Sequence, residues 1–433
     1  MQLKKIKIHD KKSILNFGKI SFYIGVFFLA SALPITLICL ICSISSSIYA
    51  YKFSLFKDKW TYILCISALL MIISTTNGYF IGLNTSIDTN KSEIWFKLFN
   101  WIPLFFLFST IKIYLKSKND RILFSKFLLA GSLPVIISCI FQKWFRWYGP
   151  HETFYGLIIW FNKKLYEGDG ISGLFSNQNY TGFWLSTIFP LSLGILLYKK
   201  RPMRQNFLII AFILFTFYLT FLTYSRNAII GLFPSLTIIL GVKIFVQLLI
   251  IFLIFIMLIY FLSIFYPPIF LSFFESFLPI NIISKFMNFN FSNFEKWTRF
   301  EIWAASIKLI ARRPLLGYGA TSFSLFYFSK YNFGHTHNIP LQLAFDYGLP
   351  LSLLLCGFVI TLLIKSWTKI MNSYSHKISS REIIFDKCWL LASIVAVLSH
   401  MNDITYYDGK ISILIWILFA GLVCINNEKT SIN

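Results

Sequence analysis

The sequence predicts an all-α polytopic membrane protein, with about twelve transmembrane helices and both termini cytoplasmic. Three observations carry that expectation. Of 433 residues, 57% are hydrophobic, 19% aromatic and only 13% charged, which is not the composition of a soluble globular domain. Apolar runs of roughly the ~20 residues that a helix needs to cross hydrocarbon recur from end to end. Lysines and arginines crowd into alternate short loops, as the positive-inside rule requires. A formal charge of +23 would point to nucleic acid in a soluble protein. Topology accounts for it here, so no nucleic-acid partner is expected, and affinity for anionic membrane lipids follows as a side effect.

The N-terminus imitates a secretory signal, with a basic start through Lys12, an apolar stretch from Phe22, and then Ala30-Ser-Ala32. The apolar character continues to Ala50, which a cleaved signal would not need. Ala32-Leu-Pro34 is therefore read as a turn between two closely paired helices, near 20–33 and 35–51. Further spans are expected near 60–78, 95–115, 122–143, 179–197, 207–223, 227–241, 244–266, 339–364, 388–404 and 410–426. With the N-terminus inside, Lys52, Lys57 and Lys59, then Lys116, Lys118 and Arg121, then Lys199, Lys200, Arg201 and Arg204 are cytoplasmic. Lys243 and the run from Lys365 to Lys387 follow them. The outer loop at 79–94 holds Asp88, Lys91 and Glu93 instead. Treating 20–51 as one span would place Lys52, Lys57 and Lys59 outside and invert everything after it, so twelve spans are preferred to eleven.

The chain reads as one transmembrane domain over 1–433 with two long extracytoplasmic loops. One, at 144–178, is rich in Trp, Tyr and Gly. The other, at 267–338, contains an amphipathic helical stretch near 295–311, with Trp297, Phe300, Ala304 and Ile307 on one side, expected to lie on the outer membrane surface. Lys308, Arg312 and Arg313 fit simple lipid docking. All seven cysteines fall in apolar segments, so neither a disulfide nor a zinc site is expected. No Gly-x-x-x-x-Gly-Lys loop occurs, which argues against nucleotide hydrolysis, and no cofactor is expected. No internal repeat is visible, which counts against inverted-repeat transporters.

Arg226, Arg299 and His337 are distant in sequence, yet this topology gathers them at the outer mouth of the bundle. They stand in Thr223-Tyr-Ser-Arg226, Thr298-Arg299-Phe-Glu301 and His335-Thr-His337-Asn338. Two cations and an imidazole there point to an anionic, lipid-borne substrate. Asn338 is a good N-cap and Pro340 suits a first turn, so His337 would sit at the positive end of a helix dipole. That position favours the neutral imidazole, which can act as general base towards a hydroxyl; an interfacial capping histidine is the plain alternative. His335 raises the possibility of a metal pair, but no acidic or thiol ligand stands near it in sequence, and no metal is expected.

Asn338, Gln342 and Asp346 recur every fourth residue on one face, with Asp346 ~12 Å below the helix start. An acid at that depth usually faces a cavity or a partner, and an ion pair with Lys97 or Lys126 is the structural alternative. His337 is the candidate catalytic residue, and Arg226, Arg299, Asn338, His335 and Asp346 are the candidate substrate-binding residues. Arg226 contravenes the positive-inside bias. Phosphate binding through its planar fork explains it, and snorkelling to headgroups is the alternative. Gly173-Leu-Phe-Ser-Asn177-Gln-Asn179 reads as a turn plus N-cap. His400, Asn402, Asp403 and Asp408 read as the solvated turn between the last two spans, with a second polar lining of the site as the alternative.

Together, Gly173-Leu-Phe-Ser-Asn-Gln-Asn179, Tyr224-Ser-Arg226, Arg299-Phe-Glu-Ile-Trp303, Arg313-Pro-Leu-Leu-Gly-Tyr-Gly319 and His335-Thr-His-Asn338 resemble the O-antigen ligase/polymerase superfamily over about 170–350. The ligase pattern of His-Asn, nine residues, then Gly is met by His337-Asn338 and Gly348, and departs at Leu351. The resemblance implies inverting, metal-independent glycan transfer in a bacterial inner (plasma) membrane. The donor would be a lipid-linked glycan on undecaprenyl pyrophosphate, and the acceptor a glycan or glycolipid hydroxyl. Arg226 and Arg299 would hold the pyrophosphate and His337 would deprotonate or position the acceptor. Asn100-Trp-Ile-Pro103, Gly173 through Tyr180, and His400-Met-Asn-Asp403 followed by Trp416 also resemble the cyanobacterial inorganic-carbon (bicarbonate) transporter-like branch, so a carrier or its membrane accessory is the alternative. A carrier should have polar groups along a path through the bilayer, whereas here they concentrate at one mouth. A non-enzymatic assembly factor is a third possibility, and oligomeric state is left open by the sequence.

Overall fold

The computed structural model describes residues 2–84, 91–265, 298–320, 322–327, 334–375 and 380–428. In chain order the helices are α1 (Gln2–Phe28), α2 (Leu33–Tyr51), α3 (Lys59–Asn84), α4 (Lys91–Phe96), α5 (Ile102–Ile111), α6 (Lys118–Gly131) and α7 (Leu133–Trp144). They continue as α8 (Gln178–Leu197), α9 (Met203–Leu222), α10 (Arg226–Leu240), α11 (Val242–Phe265), α12 (Thr298–Arg312) and α13 (Phe323–Phe326). The last four are α14 (Ile339–Tyr347), α15 (Leu349–Ser375), α16 (Ser380–Ser399) and α17 (Gly409–Asn427).

Among the described residues, eight helical segments are long and apolar enough to cross a membrane: 33–56, 59–79, 94–114, 118–144, 178–197, 203–222, 349–372 and 409–427. The chain is therefore an all-α, multi-pass membrane protein. Helices α1, α10, α11 and α16 cover the four remaining expected positions. The interior is built on α8 and α17, each buried all round over most of its length, as helices apolar on all sides should be. Between helices in lipid, small residues and hydroxyls do the joining, because apolar side chains gain little by leaving apolar solvent. In the α1–α2 hairpin, Thr36 Oγ1 donates to Gly25 O at 3.0 Å and Ser43 Oγ to Gly18 O at 2.9 Å. The turn between them covers 29–32, so the expected Ala32-Leu-Pro34 turn is shifted: Ala32 is its last residue, and Leu33 and Pro34 open α2.

Four expectations are corrected. The span at 339–364 is two helices broken at Gly348, whose φ of +94° is open to glycine and strained for any other residue. Arg121, read as a loop cation, is fully buried: its guanidinium meets Asp386 at 3.2 Å and Glu428 at 2.5 Å, tying α6 to α16 and the end of α17. The 144–178 loop holds a small antiparallel hairpin, β1 (His151–Thr153) and β2 (Ile158–Trp160). Finally, α12 buries Ile302, Ser306 and Ile310, while Ala304 and Ile307 of the expected apolar side are exposed; Trp297 lies outside the described residues. The docked row packs with Tyr318, Phe323, Ala344 and Phe345, so α12 rests on α14.

Candidate functional site

Helix α14 begins as its sequence requires. Asn338 is the N-cap, its Oδ1 accepting from Leu341 N at 2.9 Å, and Pro340 occupies the first turn. The other end of the Asn338 amide donates to Met401 O at 2.9 Å, and Ile339 N donates to His400 O at 3.0 Å. The α16–α17 turn is thereby bound to the start of α14. It is buried rather than solvated at His400 and Asp403, which corrects the reading of 400–403 as an exposed hairpin turn. Helix α16 ends at Ser399, short of the expected 404, and this releases the turn to reach α14.

His337 stands one residue before the cap with φ of +55°, a left-handed conformation that few non-glycine residues adopt. Such strain persists only where neighbours impose it. Here Thr336 N donates to Gln342 Oε1 at 2.9 Å, Thr336 Oγ1 donates to Asn338 O at 2.8 Å, and Trp303 Nε1 of α12 donates to Thr336 O at 3.0 Å. The ring so placed has Nδ1 3.1 Å from Asp403 Oδ1. That oxygen also accepts from Ile404 N at 2.9 Å, and Asp403 Oδ2 accepts from Asn179 Nδ2 at 2.8 Å. An ionised carboxylate can only accept, so Nδ1 carries the proton, and in the neutral ring the lone pair lies on Nε2. Burial pushes Asp403 up, but the hydrogen bond and charge of His337, the Ile404 amide and Arg299 outweigh it and hold the carboxyl below its ordinary value.

The floor of the site is the C-terminal end of α14, a buried helix of nine residues whose last carbonyls need partners. Residues 314–319 supply them. Tyr318 N donates to Phe345 O and Gly319 N to Asp346 O, both at 2.9 Å, and Leu349 N donates back to Pro314 O at 2.7 Å. Gly317 and Gly348 take left-handed φ, and a Cβ on either would collide with the facing backbone. The Pro-Leu-Leu-Gly-Tyr-Gly string is thus the cap of α14. Asp346 is buried with Gln342 Nε2 on its Oδ1 at 2.9 Å, and Lys97 is near enough to attract it. The Asn338–Gln342–Asp346 face is as the spacing predicts.

The arginines arrive by close backbone packing. Gly182, on the turn of α8 after Asn179, lets α10 approach: an added Cβ would stand 2.8 Å from Ser225 and from Ala228. Ile171 N also donates to Leu222 O at 3.0 Å, joining the Gly173 string to the Tyr224-Ser-Arg226 turn, where Tyr224 has φ of +52°. Arg226 opens α10 with an exposed side chain. Arg299 opens α12, half-buried, one turn before the Trp303 that grips Thr336. Burial, and then repulsion from Arg226, pull the Arg299 guanidinium below its ordinary pKa, while Asp403 pulls it up. Those interactions place Arg226, Arg299 and Asp403 in one electrostatic neighbourhood. Among the described residues, neither arginine has a carboxylate within ion-pair distance.

His335 Nδ1 accepts from His337 N at 3.3 Å, and the two rings lie 4.2 Å apart edge to face. Burial, then His337, lower His335 to about 4 against a smaller pull from Asp403. The ligand atoms of His335, His337 and Asp403 lie within 4.8 Å of one another, so the three could hold a zinc-like ion. The expectation that no acidic group accompanies the histidines is corrected, because Asp403 comes from far along the chain. Its carboxylate is nevertheless already occupied on both oxygens.

The structure therefore brings Arg226, Arg299, His335, His337 and Asn338 together, sets Asp346 beneath them, and adds Asp403 and Asn179. Those two were legible only as a turn and a cap. The family model described as O-antigen ligase matches residues 210–356, about a third of the chain. No curated protein matches the chain. Arg226, Arg299 and His337 all fall within the matched segment, whereas Asn179 and Asp403 flank it, and over those residues this multi-pass membrane protein is similar to the O-antigen ligases, a likeness that supports glycan ligation or polymerisation in general.

Proposed function

We propose that the protein transfers a glycan from an undecaprenyl-pyrophosphate-linked donor to a hydroxyl of a glycan or glycolipid acceptor, on the extracytoplasmic side of a bacterial inner membrane. The observation that carries this reading is the convergence of two guanidiniums, neither with a carboxylate partner among the described residues, upon a histidine oriented by a carboxylate. Twelve spans with both termini inside would put that convergence at the outer face.

In the proposed step, the acceptor oxygen attacks the anomeric carbon as its proton passes to His337 Nε2. The bond from that carbon to the pyrophosphate oxygen breaks, and the lipid pyrophosphate leaves with the electron pair. Arg226 and Arg299 offset the charge that develops on it, and Asp403 stabilises the imidazolium. A single displacement from the opposite face inverts the anomeric configuration. The leaving pyrophosphate supplies the driving force, so neither nucleotide nor metal is required. Asn338 and Asp346 act as positioning groups, Asn338 through the cap and the Met401 carbonyl, while His335 faces the substrate beside His337. The inorganic-carbon alternative has no supporting observation of this kind.

The test is extraction of lipid-linked glycan from cells lacking the protein and complemented with wild type or His337→Ala. Accumulation in the null and His337→Ala cells, but not with wild type, is the expected result. Unchanged lipid-linked glycan in all three would overturn the proposal. With membranes and purified donor, transfer should persist in excess EDTA; loss restored by zinc would move His335, His337 and Asp403 to a metal role.

A further inference from the structure

A second feature lies at the far end of the bundle. Helix α3 touches the site region through its later turns: Ser74 Oγ donates to Leu316 O at 2.5 Å, and Gly78 packs on Gly319. Its first residue, Lys59, stands ~22 Å away along the helix at 1.5 Å per residue. There α3 and α15 enclose a cleft of about 240 Å³ whose walls include Ile63, Leu354, Phe358 and Thr361. Gly357 makes the space, since a Cβ there would meet nothing within 4 Å. A glycine inside an α-helix is unfavourable against alanine and here leaves an open apolar slot.

Two ammonium groups guard the mouth. Lys59 Nζ lies 5.6 Å and Lys365 Nζ 5.3 Å from the ring of the same residue, Trp60, and the two repel one another. Trp60 is buried and held edge-on against Phe358 at 5.5 Å, so the aromatic platform beside the two cations is fixed. The neighbouring acid offers no relief: Asp58 is engaged by Lys112 and Thr61. Among the described residues, neither Lys59 nor Lys365 has a carboxylate within ion-pair distance. Paired cations over an aromatic ring, at the end of an apolar cleft open to lipid, complement a phosphate joined to an acyl chain.

We propose that this cleft is a binding site for one anionic phospholipid, with its phosphate between Lys59 and Lys365 and part of one acyl chain along Gly357 and Phe358. The slot is too small for a whole lipid, so the remaining chain lies in the bilayer. On a positive-inside topology the lipid belongs to the cytoplasmic leaflet, where anionic headgroups supply the field that basic ends of helices feel. The site is independent of the glycan-transfer reading, which concerns the opposite end of α3.

The experiment is native mass spectrometry of the full-length, delipidated protein in neutral detergent, titrated with phosphatidylglycerol, with phosphatidylcholine of the same chains, or with glycerol phosphate. The wild type should bind one phosphatidylglycerol at least about tenfold more tightly than phosphatidylcholine and take up no glycerol phosphate at the same concentrations. Two variants probe the two halves of the site. Lys59→Gln/Lys365→Gln should reduce phosphatidylglycerol binding to the phosphatidylcholine level. Gly357→Leu, which fills open space and improves helix propensity, should weaken both lipids at that site while leaving thermal unfolding unchanged or raised. Equal affinity of wild type for the two lipids would overturn the proposal. So would wild-type phosphatidylglycerol binding by either variant, or glycerol phosphate binding as tight as that of the intact lipid.

Discussion

Asp403 is the residue that changes the chemistry of the site. A histidine at a helix start can serve as a cap or as a base, and the sequence around His337 leaves both open. The carboxylate at 3.1 Å from Nδ1 fixes the tautomer and aims the second nitrogen. Asp403→Asn should then lower turnover by about 10²- to 10⁴-fold, the usual range for a positioned proton acceptor, with a smaller effect on donor KM. It should also move the acidic limb of the pH–rate profile, which a merely structural role would not do; an unmoved profile would remove Asp403 from the mechanism. His335 gives a separate pH signature. Its value of about 4 in the fold lies below the ordinary imidazole value of ~6.5, so the unfolded chain binds the extra proton first. The stability linked to His335 is complete above ~6.5 and is lost as pH falls through about 4. Melting of the purified protein should therefore decline over that window, and His335→Gln should flatten the decline; parallel curves would contradict it. Arg226, Arg299 and His337 were legible as candidates from the sequence: Arg226 because the expected topology puts a cation where the positive-inside bias disfavours one, Arg299 because it opens the amphipathic stretch, and His337 because Asn338 and Pro340 mark a helix start beside it. Asp403 and Asn179 were not, since an acid in a hairpin turn and an asparagine near a helix start each have an ordinary explanation, and only the fold brings them within 2.8 Å of one another.

At the scale of elements, the site depends on a helix that stops early. An apolar run through 339–364 reads as one span, and neither hydropathy nor length exposes the break. The break is written in Gly348 followed by Pro350, and in a second string, residues 314–319, that the pattern alone cannot attach to it. Once attached, the glycines gain a specific role. Gly348→Ala puts a Cβ into Leu315 O at a left-handed φ, so the cap must open. The expected cost is on the order of 1–3 kcal/mol, the range for a forced backbone conformation. A lower melting temperature with reduced transfer, but without loss of membrane insertion, is the outcome to look for. An unchanged melting temperature would show that the α14–α15 break tolerates a side chain. Helix α12 teaches a related lesson: its amphipathic pattern was visible, but the face that docks, Ile302–Ser306–Ile310, is chosen by α14.

For the whole molecule, the decisive quantity is which end of the bundle faces out. Composition and span-length runs made the helical membrane class legible, because hydrocarbon leaves the backbone few other solutions. The order of sides rests on charge alone, and Arg121 shows the weakness of counting charges, since it is held inside by Asp386 and Glu428 rather than lying in a loop. Removing it from the count leaves Lys116 and Lys118 to mark that segment, so the charge pattern points to the same side without it. Sidedness can be read directly because the native cysteines lie in apolar segments and no disulfide joins them. Tyr155, at the tip of the β1–β2 hairpin, is fully exposed, and Ser54, beside Lys52 and Lys57, is exposed at the other end. Tyr155→Cys should react with an impermeant maleimide added to intact spheroplasts, whereas Ser54→Cys should react only after the membrane is opened. The reverse pattern would invert the topology. It would also place the His337–Asp403 pair on the cytoplasmic side, where an extracytoplasmic transfer could not occur.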